Sequence, residues 1–403
     1  MSRYFNHKEF ARWILPIILI SCFTASDLQG MSYKLVFEGS LNGYNEGQWL
    51  PSSKAFAIRA LEGNKVEDNQ LSNLYLYTLN EQKDFTPTKV FPDDKPKGRG
   101  PIKVIYGQNK YEERLALCIK LVPGVDDLLF YRANWDKSKT KNEMFYPFTL
   151  NEFEKPDFSS FKRLAEDKLI DDGYNGYSGL AHAYQSPQGS ITLLTFRNNP
   201  GRNWLVEGSG EWLDFLNIYE FEKPIQSIAM SSDEEFIYVI TGQETEYQFW
   251  KAKTSDPEFK PLTFDNNEFT IYTEIQVCPT NSNYISYLAS NHALREQESG
   301  IICVADVTSG EIIKKIEVFR HKQISSLQRN YHQWDLKGYT LFYLKSDVNG
   351  KIELWSWNFL TNTSSYTNLP DKNITGFSFS PDGKYILITT NDPSHNLRVY
   401  TIN

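Results

Sequence analysis

The sequence predicts an all-β fold, and three observations support this prediction. Phe, Tyr and Trp make up 15% of the 403 residues, and aromatic side chains favour strands. Short apolar runs alternate with segments rich in Pro, Gly, Asn and Asp, which is the pattern of strands joined by tight turns. This strand-turn-strand unit recurs along the chain, so the sheets are predicted to arise from an internal repeat.

The last copy of the repeat is the clearest. The apolar runs 374–379 and 385–389 flank the turn Ser-Pro-Asp-Gly-Lys at residues 380–384. Pro381 fixes φ early in this turn and Gly383 allows a positive φ, so the segment predicts a hairpin.

Less regular copies place seven such turns near residues 51, 107, 187, 232, 279, 336 and 381. Five of the six intervals between them are 45 to 57 residues long, which is typical of one four-stranded blade. We therefore predict a seven-bladed β-propeller, with six or eight blades as alternatives. In this prediction residues 31–403 form a single propeller domain with an insertion around residues 151–177.

The two ends of the chain predict how the propeller is fastened. The last copy of the repeat ends at Asn403 after three strands, whereas the strand-like run 33–37 belongs to no other copy. We expect this N-terminal run to supply the outer strand of the last blade, which would protect the edge of that sheet.

Two segments resemble the WD40-like repeats of TolB-type propellers. They are Phe379-Ser380-Pro381-Asp382-Gly383-Lys384-Tyr385-Ile386 and Asp347-Val348-Asn349-Gly350-Lys351-Ile352-Glu353-Leu354-Trp355. The resemblance implies a propeller fold and a periplasmic or surface location. It implies no catalytic residue, because the repeat positions are structural and propellers host many unrelated functions.

Residues 1–26 are typical of an export signal. Arg3, Lys8 and Arg12 precede the apolar run 13–20, which is too short to span a bilayer on its own. The sequence therefore predicts an exported protein.

Cys22 is a candidate site of lipid attachment. The segment Leu19-Ile20-Ser21-Cys22 resembles the lipobox of bacterial lipoproteins, in which the cysteine becomes the acylated first residue of the mature chain. The alternative is an ordinary secretory signal cleaved after Ser26. The lipobox implies a periplasmic, outer-membrane or cell-surface lipoprotein that contacts the membrane only through its lipid anchor.

Composition narrows the range of partners. The formal net charge of -8 argues against nucleic acid as a ligand, because proteins that bind it usually carry a basic surface.

Cys118, Cys278 and Cys303 lie inside apolar runs and follow no metal-binding spacing, so they are predicted to be buried free thiols. No cofactor is predicted.

One loop is a candidate ligand-binding site at the rim of the propeller. It carries two carboxylates, two tyrosines and an asparagine among flexible glycines, a combination that suits a sugar or a peptide: Asp171, Asp172, Tyr174, Asn175 and Tyr177. The alternative interpretation is an ordinary connection between two blades.

The search for catalytic residues favours a protein that is not an enzyme. The chain contains no G-x-S-x-G nucleophile motif, and we interpret His332 as a structural residue at a strand end. We therefore predict a binding or scaffolding propeller for a protein or glycan partner in the cell envelope. The alternative is a lactonase-type hydrolase with a central divalent metal, for which Glu274, Asn330, Asp172 and Asn175 lie near predicted inner strands.

Overall fold

The structure is a computed structural model of the chain. It describes residues 31–40, 47–49, 53–61, 72–80, 84–89, 114–121, 128–135, 144–149, 179–186, 191–197, 203–209, 214–243, 246–264, 269–290, 300–318, 331–347, 349–392 and 394–402. These ranges contain strands and turns only, so the all-β prediction is confirmed. The same ranges contain no helix that could cross a membrane.

The described strands form seven antiparallel sheets, which we call sheets I to VII. The chain starts with β1 (Tyr33–Gly39), which belongs to sheet VII. Sheet I contains β2 (Gly47–Trp49), β3 (Ala55–Leu61), β4 (Ser72–Leu79) and β5 (Phe85–Lys89). Sheet II contains β6 (Arg114–Leu121), β7 (Leu128–Trp135) and β8 (Met144–Thr149), and sheet III contains β9 (Gly179–Gln185), β10 (Ile191–Arg197), β11 (Asn203–Ser209) and β12 (Asp214–Phe221).

The remaining strands belong to four sheets of four strands each. Sheet IV contains β13 (Ile225–Met230), β14 (Phe236–Gln243), β15 (Glu246–Lys253) and β16 (Asp256–Leu262), and sheet V contains β17 (Ile271–Val277), β18 (Tyr284–Ser290), β19 (Ile301–Asp306) and β20 (Ile312–Glu317). Sheet VI contains β21 (His332–Trp334), β22 (Thr340–Ser346), β23 (Ile352–Asn358) and β24 (Thr363–Tyr366). Sheet VII contains β25 (Ile374–Phe379), β26 (Tyr385–Thr390) and β27 (Leu397–Ile402), with β1 as its fourth strand.

The two ends of the chain meet in sheet VII. Strand β1 pairs antiparallel with β27, with Tyr33 opposite Ile402 and Gly39 opposite Leu397, and a bulge lies between Leu35 and Phe37. The prediction that the N-terminal run forms the outer strand of the last sheet is confirmed.

Neighbouring sheets pack side by side in the order II, III, IV, V, VI, VII, I. The first strands of sheets IV, V and VI contact one another in turn, and β25 of sheet VII contacts β2 of sheet I. The first strand of each of these sheets therefore lies toward the common centre of the arrangement, as in a propeller.

The core lies between the sheets, and the second strand of each sheet shows why. In β14 and β18 almost every residue is buried, since these strands are covered on both faces and their sequences are nearly continuous apolar runs. Aromatic side chains fill the space between sheets IV and V, where the Phe249 and Tyr287 ring centroids lie 4.7 Å apart.

The predicted buried thiols are confirmed where the structure describes them. Cys278 and Cys303 are buried and free. The Cys278 thiol donates to the Gly338 carbonyl at 3.4 Å, where the turn of sheet VI approaches that of sheet V. Gly338 has a φ of 69°, and a Cβ at this position would lie 2.9 Å from Cys278 Sγ. This close approach therefore requires glycine.

Candidate functional site

Most of the residues singled out from the sequence lie outside the described ranges. These residues are Cys22, Asp171, Asp172, Tyr174, Asn175, Tyr177 and Asn330, together with the export signal 1–26 and the insertion 151–177. The lipid anchor and the rim loop therefore stay predictions. Glu274, one of several candidates that the metal alternative would allow, is described and lies in β17.

Polar side chains on the first strands connect sheets IV, V, VI, VII and I to one another in that order. Their partners are backbone groups of the neighbouring first strand, so these side chains hold the sheets together near the centre. Ser227 Oγ accepts from Ile275 N at 3.0 Å, Gln276 Nε2 donates to the His332 carbonyl, Gln333 Oε1 accepts from Phe379 N at 3.2 Å, and Trp49 Nε1 donates to the Ser378 carbonyl at 3.0 Å.

Glu274 and His332 form the closest approach of an acid and a base between two first strands of the described sheets. Glu274 lies in a bulge of β17 with a left-handed φ of 52°, and its Oε2 atom accepts from Tyr331 N at 3.2 Å. The same oxygen is 3.9 Å from His332 Nδ1. This distance is too long for a hydrogen bond.

His332 is completely buried, and neither of its ring nitrogens has a hydrogen-bond partner among the described residues. Burial lowers its pKa to about 4, and the Ser286 backbone acts in the opposite direction. The imidazole is therefore neutral at neutral pH and has no contact with solvent. In this conformation it cannot take a proton from an external substrate.

The described residues contain no group of three or more His, Cys, Asp or Glu side chains arranged to hold a metal ion. Glu274 is thus not joined by two further such ligands in the described part of the chain.

The turns between the first and second strands of sheets IV, V, VI, VII and I contact one another in that order on one face, which we call the turn face. Ser232 Oγ of sheet IV donates to the Pro279 carbonyl of sheet V, and Asp382 N of sheet VII donates to Ser53 Oγ of sheet I at 2.9 Å. The contact between Cys278 and Gly338 joins the turns of sheets V and VI in the same way.

Three apolar side chains are exposed on the turn face at sheet VI, and we call them the apolar patch. Leu336 and Tyr339 lie in the turn between β21 and β22, Leu360 lies in the turn between β23 and β24, and their exposed fractions are 43% to 52%. Phe359 N donates to the Tyr339 carbonyl at 2.7 Å, which brings the two turns together.

The carboxylate in the turn between β21 and β22, Asp335, is hydrogen-bonded to backbone groups of the same hairpin. The Asp335 carboxylate accepts from Tyr339 N and Thr340 N at 2.9 and 3.0 Å, whereas Lys337 is exposed. Sequence reasoning missed this patch. The available signal was the apolar Leu336 and Tyr339 in a turn segment where polar residues are usual.

The fold was compared with known proteins. No family model matches the chain, and no curated protein matches it. Among solved structures, it is similar to the WD40 domain from Toxoplasma gondii coronin with a TM-score of 0.50 and 10% identity, over 93% of this chain and 86% of that one. The Dos1 propeller gives a TM-score of 0.48 with 10% identity over 92% and 95% of the two chains.

TolB from Acinetobacter baumannii gives a TM-score of 0.39 with 10% identity, over 86% of this chain and 80% of that one. Identity this low shows the fold alone. The chain therefore has a WD40-like β-propeller fold, and the resemblance that its repeats suggested is confirmed at the level of the fold.

Proposed function

We propose that this chain is an exported, non-enzymatic binding propeller whose turn face contacts a protein partner in the cell envelope. The observation that carries the proposal is the apolar patch of Leu336, Tyr339 and Leu360. Single exposed apolar side chains are ordinary, but a group of them on adjacent turns is typical of a surface that binds another protein. Tyrosine is also among the residues enriched at such interfaces.

The centre of the propeller supports a binding role over catalysis. Ser227, Gln276 and Gln333 are polar side chains on first strands, and each bonds to the backbone of the neighbouring sheet. The hydrogen bonds of these groups join neighbouring sheets. The exposed turns are left as the surface on which function can vary without disturbing the core.

Closure of the ring belongs to the same proposal. We propose seven blades, with the remaining contact between sheets I and II. The support comes from the pairing of β1 with β27 and from the side-by-side order of the other sheets.

Site-specific photocrosslinking tests the binding surface. A photoreactive phenylalanine analogue replaces Leu336 in the cells that produce the protein, and a matched variant carries it at the exposed Lys260 of β16. We expect one discrete protein adduct from position 336 and none from position 260. We also expect Tyr339→Asp to abolish the adduct. Equal adducts at both positions, or an adduct that persists with Tyr339→Asp, would contradict the proposed surface.

A turnover screen tests the absence of catalysis. The purified protein is assayed with lactones, esters and peptides, and its metal content is measured by elemental analysis. Turnover that is lost on chelation would overturn the non-enzymatic part of the proposal and would favour the lactonase-type alternative.

The lipid anchor is proposed from the sequence of residues 19–22. We expect Cys22→Ser to move the protein from the membrane fraction to the soluble fraction. Unchanged membrane association of that variant would argue against lipidation, whereas Cys278→Ser serves as a control because that thiol is buried in the propeller.

A further inference from the structure

Three turns of the turn face share one backbone geometry but carry different side chains. In sheets IV, VI and VII these turns span residues 231–235, 335–339 and 380–384, and the fourth residue of each has a positive φ: 60° at Glu234, 69° at Gly338 and 71° at Gly383. In sheets IV and VII the N–H that begins the second strand donates to a serine Oγ at 2.9 Å, and in sheet VI it donates to an aspartate Oδ1 at 3.0 Å. Side chains at equivalent positions of these turns can therefore be compared directly.

The exposed side chains change character from one of these turns to the next. The residue that follows the positive φ is Glu235 in sheet IV, Tyr339 in sheet VI and Lys384 in sheet VII, and all three are exposed. The turn of sheet IV carries three carboxylates in a row, at residues 233–235, whereas the turn of sheet VI carries the exposed Lys337. Acidic side chains thus mark sheet IV, and apolar and basic side chains mark sheets VI and VII.

Lys337 and Lys384 flank the apolar patch. Lys337 follows Leu336 directly in the chain. Lys384 follows Gly383, where a Cβ would lie 3.6 Å from Leu336 Cδ1, so the turn of sheet VII contacts this leucine. The Lys384 side chain is 72% exposed, although its Nζ lies 3.3 Å from the Asp382 carboxylate.

The carboxylates of the same two turns are bonded to their own hairpins. Asp335 accepts from two backbone N–H groups at 2.9 and 3.0 Å, and Asp382 accepts from a serine hydroxyl at 2.7 Å and from a backbone N–H at 3.0 Å. Their oxygens are therefore partly occupied within the turns. A partner that covers the apolar patch can form new ion pairs most readily with Lys337 and Lys384.

We propose that the partner presents an acidic segment to the turn face, with apolar side chains on the apolar patch and carboxylates on Lys337 and Lys384. This inference rests on the proposed function, because it names the chemistry of the partner at the same surface. Exposed ion pairs contribute little affinity, so the apolar patch supplies the attraction and the lysines supply specificity. An acidic segment that extended over the turn of sheet IV would meet the carboxylates of residues 233–235. Charge thus fixes the direction in which the segment lies on the turn face.

Charge reversal at the two lysines tests the inference in the photocrosslinking assay. The chain with the photoreactive analogue at position 336 is compared with the same chain carrying Lys337→Glu and Lys384→Glu. We expect the adduct to fall about tenfold, because two attractions at an exposed interface become repulsions. The matched control carries Lys34→Glu and Lys260→Glu, which change the net charge equally at exposed positions of the outer strands β1 and β16. The control should give the same adduct as the native lysines.

Two synthetic peptides provide a second measurement with the purified protein. Both peptides have the same leucine pattern, and one carries glutamate wherever the other carries lysine. By fluorescence anisotropy we expect the glutamate peptide to bind about tenfold more tightly than the lysine peptide. This preference should disappear in the variant with Lys337→Gln and Lys384→Gln, and it should weaken at high salt because exposed charges are screened.

The outcomes separate this inference from the proposed function. An adduct from position 336 that persists unchanged with Lys337→Glu and Lys384→Glu would overturn the acidic partner and leave the binding surface in place. Equal binding of the two peptides would also overturn it. Binding of the protein to phosphatidylglycerol vesicles through the same two lysines would assign them to a membrane surface and would refute the inference. The absence of any adduct from position 336 would instead remove the binding surface itself.

Discussion

Replacing Arg398 with methionine should weaken the junction between the two ends of the chain. Arg398 lies on β27, and its guanidinium contacts three carboxylates. Its Nε donates to Glu38 of β1 at 2.8 Å, one terminal nitrogen donates to Asp371, and the other donates to Asp392 at 3.2 Å. One side chain thus connects the N-terminal strand to the loop between β24 and β25 and to the loop between β26 and β27.

The size of the effect follows from burial of the partners. The Asp371 side chain is only 3% exposed, and removal of Arg398 would leave its charge buried without the cation that compensates it. Breaking a buried pair costs about 3 to 5 kcal/mol. Because the Arg398 side chain is itself 18% exposed, we expect a loss near the lower end, about 3 kcal/mol. The more exposed Glu38 contact should contribute under about 1 kcal/mol of this.

Urea unfolding followed by circular dichroism measures this loss. Arg398→Met combined with Asp371→Asn should recover part of the free energy of unfolding, because the uncompensated charge is gone. Lys253→Met is the matched control, since the ion pair of Lys253 with Glu235 is half-exposed on both sides and should be worth under about 1 kcal/mol. If Arg398→Met and Lys253→Met unfold at the same urea concentration, the assigned role of Arg398 is wrong.

Three further predictions concern a glycine, acidity and the apolar patch. Gly338→Ala should cost about 1 to 3 kcal/mol in unfolding free energy, more than Gly383→Ala, because both have a positive φ but only the first would bring Cβ into collision with Cys278. Burial lowers the pKa of His332 from its usual value of about 6.5 to about 4. The contribution of the neutral imidazole to the free energy of unfolding is therefore complete above pH 6.5 and is lost as the pH falls toward 4. This loss amounts to about 3 kcal/mol, and urea titrations at several pH values should show it in the native sequence but not in His332→Phe. Leu360→Asp should change the unfolding free energy by less than about 0.5 kcal/mol while it abolishes crosslinking from position 336, and thermal unfolding of the same sample separates these effects.

The repeat could be predicted from the sequence because its determinants are local. In the turn at residues 380–384, Ser380 Oγ accepts from Tyr385 N at 2.9 Å, and Gly383 has a φ of 71°. Both features depend on residues a few positions apart. The same is true of the alternating or continuous apolar runs that mark each strand.

The connections between sheets could not be predicted in the same way. Trp49 and Ser378 are separated by 329 positions, and nothing in the segment around Trp49 shows that its indole N–H binds the first strand of the last sheet. His332 illustrates the same limit, since the sequence placed it at a strand end but could not show that both ring nitrogens are unpaired. Properties of this kind arise only when distant segments pack together.

The bond from Trp49 to Ser378 connects this limit to function. It fastens sheet I to sheet VII at the centre, while Arg398 fastens β1 to β27 at the outer edge of sheet VII. Sheet VII is therefore bonded to sheet I near the centre and to the N-terminal strand at its outer edge. Trp49 and Arg398, which make these two contacts, both lie in strands and not in turns. Substitutions at Leu336 or Tyr339 leave these attachments in place. The proposed binding surface can thus vary at little cost to the fold, because the centre and the closing strand carry the contacts that stabilise it.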